Sequence, residues 1–345
     1  MIVFAWRGFP QYAARCVGAF AGKSKETVVV VATRPKVPIE GMELLCGCRL
    51  VWIDGDADGS IEDFVGEIPR VVFASGWIVP AFNRFCSEVC SNGGRAFCMI
   101  DNNYSFGLRE LVSAVRFRMQ FRGRFDGYMV PGHSGARLLN MYGVENRLVV
   151  QGLYAADSSI FKDGLPLDRR EKKIIYVGQF IARKNVVRMV RAFAEANLIV
   201  GGDWTLDMYG CGPLRDELAA MNVRGVNIHS FVQPDILSGF YRRARVFCLP
   251  SLEEHWGLVV HEAALSGCML LLSNKVGASE DLIVSNNGFV FNPTNAREMK
   301  SAFVAAMTLD ENALAAAHAG SLDSAKLINI DRFVAGIDYL LNLRR

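Results

Sequence analysis

The sequence predicts an α/β fold made of two doubly wound Rossmann-like domains facing each other across a cleft. Three observations lead there. Short apolar runs alternate with amphipathic segments from one end of the chain to the other. The alternation breaks once, in a polar stretch over residues 156–172, and then restarts. At 345 residues the chain exceeds what one hydrophobic core usually organises.

The apolar runs are rich in Val, Ile, Leu and Phe and do not alternate with polar residues, the pattern of strands buried on both faces of a parallel sheet. The first set covers 2–5, 27–32, 50–53, 71–74, 96–100, 128–130 and 148–150. The second covers 173–177, 205–209, 226–229, 246–249, 269–272 and 288–291. Helical spacers separate them, so each set reads as repeated βα units. Residues 1–155 form the expected first domain and 156–172, with Gly164 and Pro166, the expected linker. Residues 173–325 form the expected second domain, and a helix within 326–345 is expected to pack back towards the first. Apolar residues at three- and four-residue steps predict helices around 302–307, 313–318 and 333–341.

Composition narrows the function classes. A 51% apolar and 21% charged chain with a net charge of +3 is a packed globular protein, with no charge excess that points to nucleic acid. Nine scattered cysteines lack the paired spacing of a zinc site and read as reduced thiols in a cytoplasmic protein. No apolar run reaches the length of a membrane-spanning helix, so membrane contact is expected to be peripheral, at the inner face. His261-Glu262 opens like a metalloprotease motif, but Leu265 stands at the second ligand position. His255 and His261 are six apart and share no helix face, so no metal is expected.

In doubly wound sheets ligands lie at the carboxyl ends of strands, so the loops there carry the candidate chemistry. After strand 246–249 the chain reads Pro250 to Trp256-Gly257 and opens a helix, with Glu254 in the loop and Glu262 on the helix. A glycine-led helix start offers unpaired N–H groups and a positive dipole end to a phosphate, for which Gly257, Leu258 and Val259 are the candidates. Two carboxylates beside it suit sugar and ribose hydroxyls. Phosphate and hydroxyls together describe a nucleotide-sugar. After strand 173–177 come Gly178-Gln179 and the cations Arg183-Lys184, just ahead of a helix. Cations there run against the helix dipole unless an anion sits between them and the helix. Strand 205–209 leads to Gly210-Cys211-Gly212-Pro213, where the glycines let backbone approach either a ligand or a neighbouring loop. Phe231 and Val232 read either as a base pocket or as the edge of the core.

The first domain offers less. Gly8, after the first strand, reads as a close approach to phosphate or acceptor, with Arg7 adding charge, or as turn geometry alone. Asp101 follows strand 96–100 as an acceptor base or a helix cap. Residues 105–124 hold Arg109, Arg116, Arg118, Arg122 and Arg124 against Glu110, interleaved with Leu108, Leu111, Val112, Val115 and Met119. Such a helix suits an anionic lipid surface or a solvated face.

These residues resemble glycosyltransferase family 4, the retaining enzymes of the GT-B fold. The resemblance covers about 173–293 and, less closely, 128–161 with its Pro131-Gly132-His133-Ser134 turn. It rests on the Glu254–Glu262 spacing around Trp256-Gly257-Leu258, the turns at Gly178–Lys184 and Gly210–Pro213, Gly277–Leu282, and Asn287-Gly288. Gln179 stands where the family often has an arginine. By resemblance, Arg183 and Lys184 hold the donor diphosphate, Glu254 contacts the transferred sugar and Glu262 the ribose. A retaining transfer from a nucleoside diphosphate sugar follows, without cofactor or metal, to a saccharide or lipid-linked saccharide in bacterial surface polysaccharide or glycolipid assembly. The alternatives are a phosphorylase or epimerase of the same fold and a non-catalytic sugar-nucleotide binder. A dinucleotide oxidoreductase lacks a complete Gly-x-Gly-x-x-Gly after any strand.

Overall fold

The computed structural model describes residues 1–35, 41–104, 108–284 and 286–344. The chain forms two compact units, one of residues 1–155 with 329–345 and one of residues 156–328. In chain order the first unit contains β1 (Ile2–Trp6), α1 (Gln11–Lys23), β2 (Val28–Ala32), α2 (Met42–Cys46), β3 (Arg49–Trp52), α3 (Ile61–Val65) and β4 (Val71–Ser75). It continues through α4 (Pro80–Ser91), β5 (Arg95–Met99), α5 (Leu108–Gln120), β6 (Gly127–Val130), α6 (His133–Met141) and β7 (Val149–Gln151). The second unit has β8 (Glu171–Val177), α7 (Val186–Ile199), β9 (Thr205–Tyr209), α8 (Arg215–Ala220), β10 (Val226–His229), α9 (Pro234–Arg243) and β11 (Ala244–Leu249). After these come α10 (Leu258–Leu265), β12 (Met269–Ser273), α11 (Ser279–Leu282), β13 (Gly288–Phe291), α12 (Ala296–Met307) and α13 (Glu311–Lys326). The last helix, α14 (Ile330–Asn342), returns to the first unit.

Both sheets are parallel. The first unit orders its strands β3-β2-β1-β4-β5-β6-β7, the second β10-β9-β8-β11-β12-β13. Each order reverses direction once, between β1 and β4 and between β8 and β11. Such switch points splay the two flanking loops and open a crevice at the carboxyl ends.

The central strands form because their residues are apolar, many of them β-branched or aromatic, and buried on both faces, as in the Val-Val-Val-Val-Ala of β2, whereas β3 and β7 at the edges are only half-buried. Phe4, Phe73 and Phe97 sit in register on β1, β4 and β5 and stack at 5.0 and 4.8 Å between ring centroids. Helix α14 covers that face. Phe333 reaches Phe4 at 6.3 Å, and Gly127 and Gly336 leave room for Leu340 and Met129, which an added Cβ would meet at 2.7 and 2.9 Å. Several helix starts are capped by side chains that take orphan N–H groups, Ser60 with Asp63 as a capping box on α3 and Asn295, Asp310 and Asn329 on α12, α13 and α14.

The stretch expected as a linker, 156–172, is counted in the second unit, and its Arg170 is buried there. That guanidinium donates to Ala244 O at 3.1 Å, Ser266 O at 2.7 Å and Asp163 Oδ1 at 2.9 Å. An arginine with its donors so fully used fixes the chain entering β8.

Candidate functional site

The second unit gathers the loops after β8, β9, β11 and β12 by backbone hydrogen bonds. Phe180 N donates to Cys211 O at 2.8 Å, Leu252 N to Arg183 O at 2.8 Å, Glu254 N to Lys275 O at 3.1 Å and Ala278 N to Trp256 O at 2.9 Å. The Gly210–Gly212 turn owes its glycines to this zipping. A Cβ on Gly210 would lie 1.9 Å from Gly178 O, and one on Gly212 2.5 Å from Phe180 O. These glycines let the turn approach the β8 loop more closely than any side chain would allow.

Lys184 and Glu254 meet at the switch point, one following β8 and the other β11. The ammonium and carboxylate form an ion pair whose side chains are only 10% and 12% exposed. Ser251 donates a further bond to the same carboxylate at 3.3 Å. Asn185, in the left-handed conformation with φ 58°, holds the β8 loop against its neighbours through Pro250 O at 3.2 Å and Pro293 O at 2.9 Å. Arg183 and Lys184 do not act as a pair of equals. Lys184 is buried against Glu254, whereas Arg183 is exposed and donates to Glu253 O at 2.7 Å. Gln179 is exposed, and its carbonyl accepts from the buried Tyr176 hydroxyl at 2.9 Å.

Gly257 begins α10 with φ 93° and ψ 74°, a conformation that disfavours any side chain. Its carbonyl takes the Val260 N–H at 2.9 Å, so the helix opens on a tightened turn with Leu258 and Val259 at its positive end. Glu262 lies in the next turn and is buried. Burial pushes its carboxyl up to about 7, against the lowering pull of the Tyr241 hydroxyl, which donates at 3.2 Å. His261 beside it is structural. Its Nδ1 accepts from Ala156 N at 3.0 Å and its Nε2 lies 3.0 Å from Ala325 O, which sets the tautomer with the proton on Nε2. Burial lowers it to about 4, so the ring is neutral. Phe231 and Val232 lie half-buried in the loop between β10 and α9.

In the first unit the β1 loop bridges the other switch point. Arg7 N donates to Ser75 Oγ at the end of β4 at 2.6 Å, and Gly8 N to Thr33 Oγ1 at 2.7 Å. Gly8 has φ 60°, a turn conformation that favours glycine, and among the described residues a Cβ added there would meet Pro35 Cα, at 3.9 Å. Arg7 itself is exposed. Asp101, half-buried after β5, is hydrogen-bonded to the Tyr154 hydroxyl, and Tyr154 in turn to Tyr12. Burial, with the negative charge of Asp101, raises both tyrosines, so they stay protonated donors. Residues 105–107 and the side chains of Leu108 and Arg109 lie outside the described part of the basic segment.

Tyr241, Ser251, Asn185 and Tyr154 were not legible as site residues. Asn185 alone carried a signal, an asparagine directly before a helix; Tyr241 and Ser251 in the second unit, and Tyr154 in the first, meet their partners only through tertiary packing. Among the described residues no group of three or more His, Cys, Asp or Glu side chains has the arrangement of a metal site.

Residues 157–321, most of the second unit, match the family model described as glycosyl transferases group 1. The unit thus carries a glycosyltransferase domain. An uncharacterised glycosyltransferase of Methanocaldococcus jannaschii is 28% identical over 142 residues, 39% of this chain and 35% of that protein. The match therefore spans about a third of that relative's length. Among solved structures, Anabaena HepE in complex with UDP superposes with a TM-score of 0.75 at 13% identity, covering 99% of both chains. A glycosyltransferase from Rickettsia africae gives 0.77 at 11% identity, again over 99% of both chains. The architecture is GT-B, two Rossmann-like parallel-sheet domains.

Proposed function

We propose that the protein is a retaining glycosyltransferase that moves a sugar from a nucleoside diphosphate donor to an acceptor hydroxyl. The carrying observation is the Lys184–Glu254 pair at the switch point of the second unit, beside the left-handed Gly257 that opens α10. The group 1 match over the same residues and the UDP held by the HepE structure support it.

The chemistry follows from charge. As the glycosidic bond to the diphosphate breaks, negative charge collects on the leaving phosphate. Lys184 has three N–H donors and spends one on Glu254, leaving others for a phosphate oxygen. With the N-terminus of α10 and Arg183, it supplies the cationic field that a metal ion supplies elsewhere, so the transfer is metal-independent. Glu254 contacts the transferred sugar, and Glu262 accepts from the ribose hydroxyls. The departing diphosphate takes the acceptor proton, which leaves no obligatory protein base; Asp101 then serves to orient the acceptor. That acceptor is a saccharide or lipid-linked saccharide of bacterial surface polysaccharide or glycolipid assembly, and the first unit meets an anionic membrane surface through α5.

Thermal unfolding with UDP, GDP, ADP and dTDP is the first test. A nucleotide at 100 times its Kd raises stability by about 2.7 kcal/mol. One of the four is expected to do so in the presence of a chelator; stabilisation by none would overturn the reading. A panel of donor sugars with mass-detected product then identifies the donor, and the anomeric configuration of the product tests retention.

A further inference from the structure

Cys46 and Cys48 stand apart from the other cysteines. Their sulfurs approach to 3.1 Å across a single residue, Gly47, which caps α2 in the left-handed conformation with φ 59° and ψ 10°. That turn brings Cys48 back over the helix end that carries Cys46. The two differ in access. Cys46 is fully buried, where α2 packs so closely on α1 that a Cβ on Gly18 would meet Leu45 O at 2.4 Å and Cys46 O at 3.0 Å. Cys48 is half-exposed at the start of β3.

We propose that Cys46 and Cys48 form a reversible dithiol–disulfide site that exchanges with small disulfides of the glutathione class. Cys48 is the attacking sulfur. Its thiolate attacks one sulfur of the disulfide RSSR, a Cys48–SR bond forms, the RS–SR bond breaks, and the first RS⁻ leaves and takes a proton. Cys46 then loses its proton to solvent and attacks Cys48 Sγ, closing the Cys46–Cys48 bond and expelling the second RS⁻. Two electrons and two protons pass from the pair to RSSR, giving two RSH.

The roles follow from position. Of the two, only Cys48 is reachable from solvent, and a second thiol already in contact with it resolves the mixed disulfide without a large movement. Closing the bond needs the sulfurs to draw in by about 1 Å, to about 2.05 Å. The hydrogen bond between the two sulfurs lowers the Cys48 thiol and raises that of Cys46, the order the scheme needs. The other thiols lack this combination. Cys16, Cys98, Cys248 and Cys268 are buried, and burial raises all four. Cys86 is buried as well, while Cys90 and Cys211 are exposed.

The test incubates the intact, folded protein with oxidised glutathione, quenches it with acid, alkylates it and maps the peptides. Two of the nine thiols, Cys46 and Cys48, should lose alkylation together, with no glutathione retained, and regain it with a dithiol reductant. Cys46→Ser should hold glutathione on Cys48, because nothing resolves it. Cys48→Ser should leave Cys46 unmodified in the same interval. Should a substitution unfold the chain, the wild-type map still decides. Cys46 and Cys48 both remaining alkylatable while Cys90 and Cys211 are modified would overturn the proposal. So would a glutathione adduct that persists on wild-type Cys48.

Discussion

Lys184 and Glu254 are 70 positions apart, and the bond between them is the point on which the proposed chemistry turns. A nearly dry ion pair does two things that mutation can separate. It satisfies two charges that burial would otherwise leave costly, and it positions the cation that meets a leaving diphosphate. Removing one partner of a buried pair costs about 3–5 kcal/mol because the other is stranded, whereas replacing both with apolar side chains is often neutral. Lys184→Ala is therefore expected to lower the thermal midpoint and to reduce kcat on the order of 100-fold. The double variant Lys184→Met with Glu254→Leu should recover much of the stability and none of the activity. If activity returned along with stability, the pair would be structural only. Arg183, exposed and bonded to a carbonyl of the β11 loop, should matter less than its neighbour, with Arg183→Ala acting mainly on donor KM.

At the scale of single elements, α10 carries two neighbouring groups that titrate in opposite senses. Glu262 rises from its ordinary 4.5 to about 7 through burial, so between those values the folded chain holds a proton that the unfolded chain has lost, and stability falls as pH rises. His261 drops from 6.5 to about 4, also through burial, so between those values the unfolded chain binds the extra proton and stability increases with pH. From pH 4.5 to 6.5 the two slopes oppose each other. Glu262→Gln removes one of them, and its thermal midpoint should climb with pH across that window more steeply than the parent's; an unchanged slope would mean an unperturbed carboxyl. The helix that carries these groups was legible in the sequence, as were the strands before and after it, since the apolar runs 246–249 and 269–272 fall within β11 and β12. Periodicity works where burial repeats along the chain. It fails on α2, α3, α8 and α11, which have 4 to 6 residues and too few turns to show a stripe. Nor could it show that Tyr241 meets Glu262 or Ser251 meets Glu254, because those contacts depend on how loops from separate strands are tied together.

For the whole molecule the open matter is what its surface meets, and α5 is where the structure departs most from expectation. A basic amphipathic helix should bury its apolar stripe on its own sheet and leave only arginines outside. Instead Ala114 and Phe117 are the residues packed inward, and Leu111, Val112, Val115 and Met119 are exposed by 48%, 69%, 57% and 81%. Two of the arginines are also spoken for. Arg118 donates to Tyr142 O and Met141 O at 3.0 and 3.1 Å, and Arg124 to Asn83 O and Ser87 Oγ at 3.0 and 3.1 Å. Arg116, bonded along its own helix to Gln120 at 3.1 Å, and the exposed Arg122 remain on the outer face beside the apolar residues. An outer face of this kind fits the boundary between headgroups and acyl chains, where each arginine near anionic lipid adds about 1 kcal/mol and each buried methylene about 0.8 kcal/mol. No helix among the described residues is long and apolar enough to cross a membrane, so any attachment by α5 lies in the interface. Because part of the binding is apolar, added salt should weaken it without abolishing it, unlike a purely ionic contact screened within a Debye length. Co-sedimentation with anionic vesicles should then show three things: binding at low salt, partial retention at high salt, and weakening in Arg116→Gln with Arg122→Gln. Val112→Asp with Met119→Asp should remove the salt-resistant part, since it places charge where the acyl chains would lie. Equal binding to neutral and anionic vesicles would remove the arginines' part in the contact, and binding to neither would leave α5 a solvated helix and take away the physical reason for placing the acceptor on a lipid.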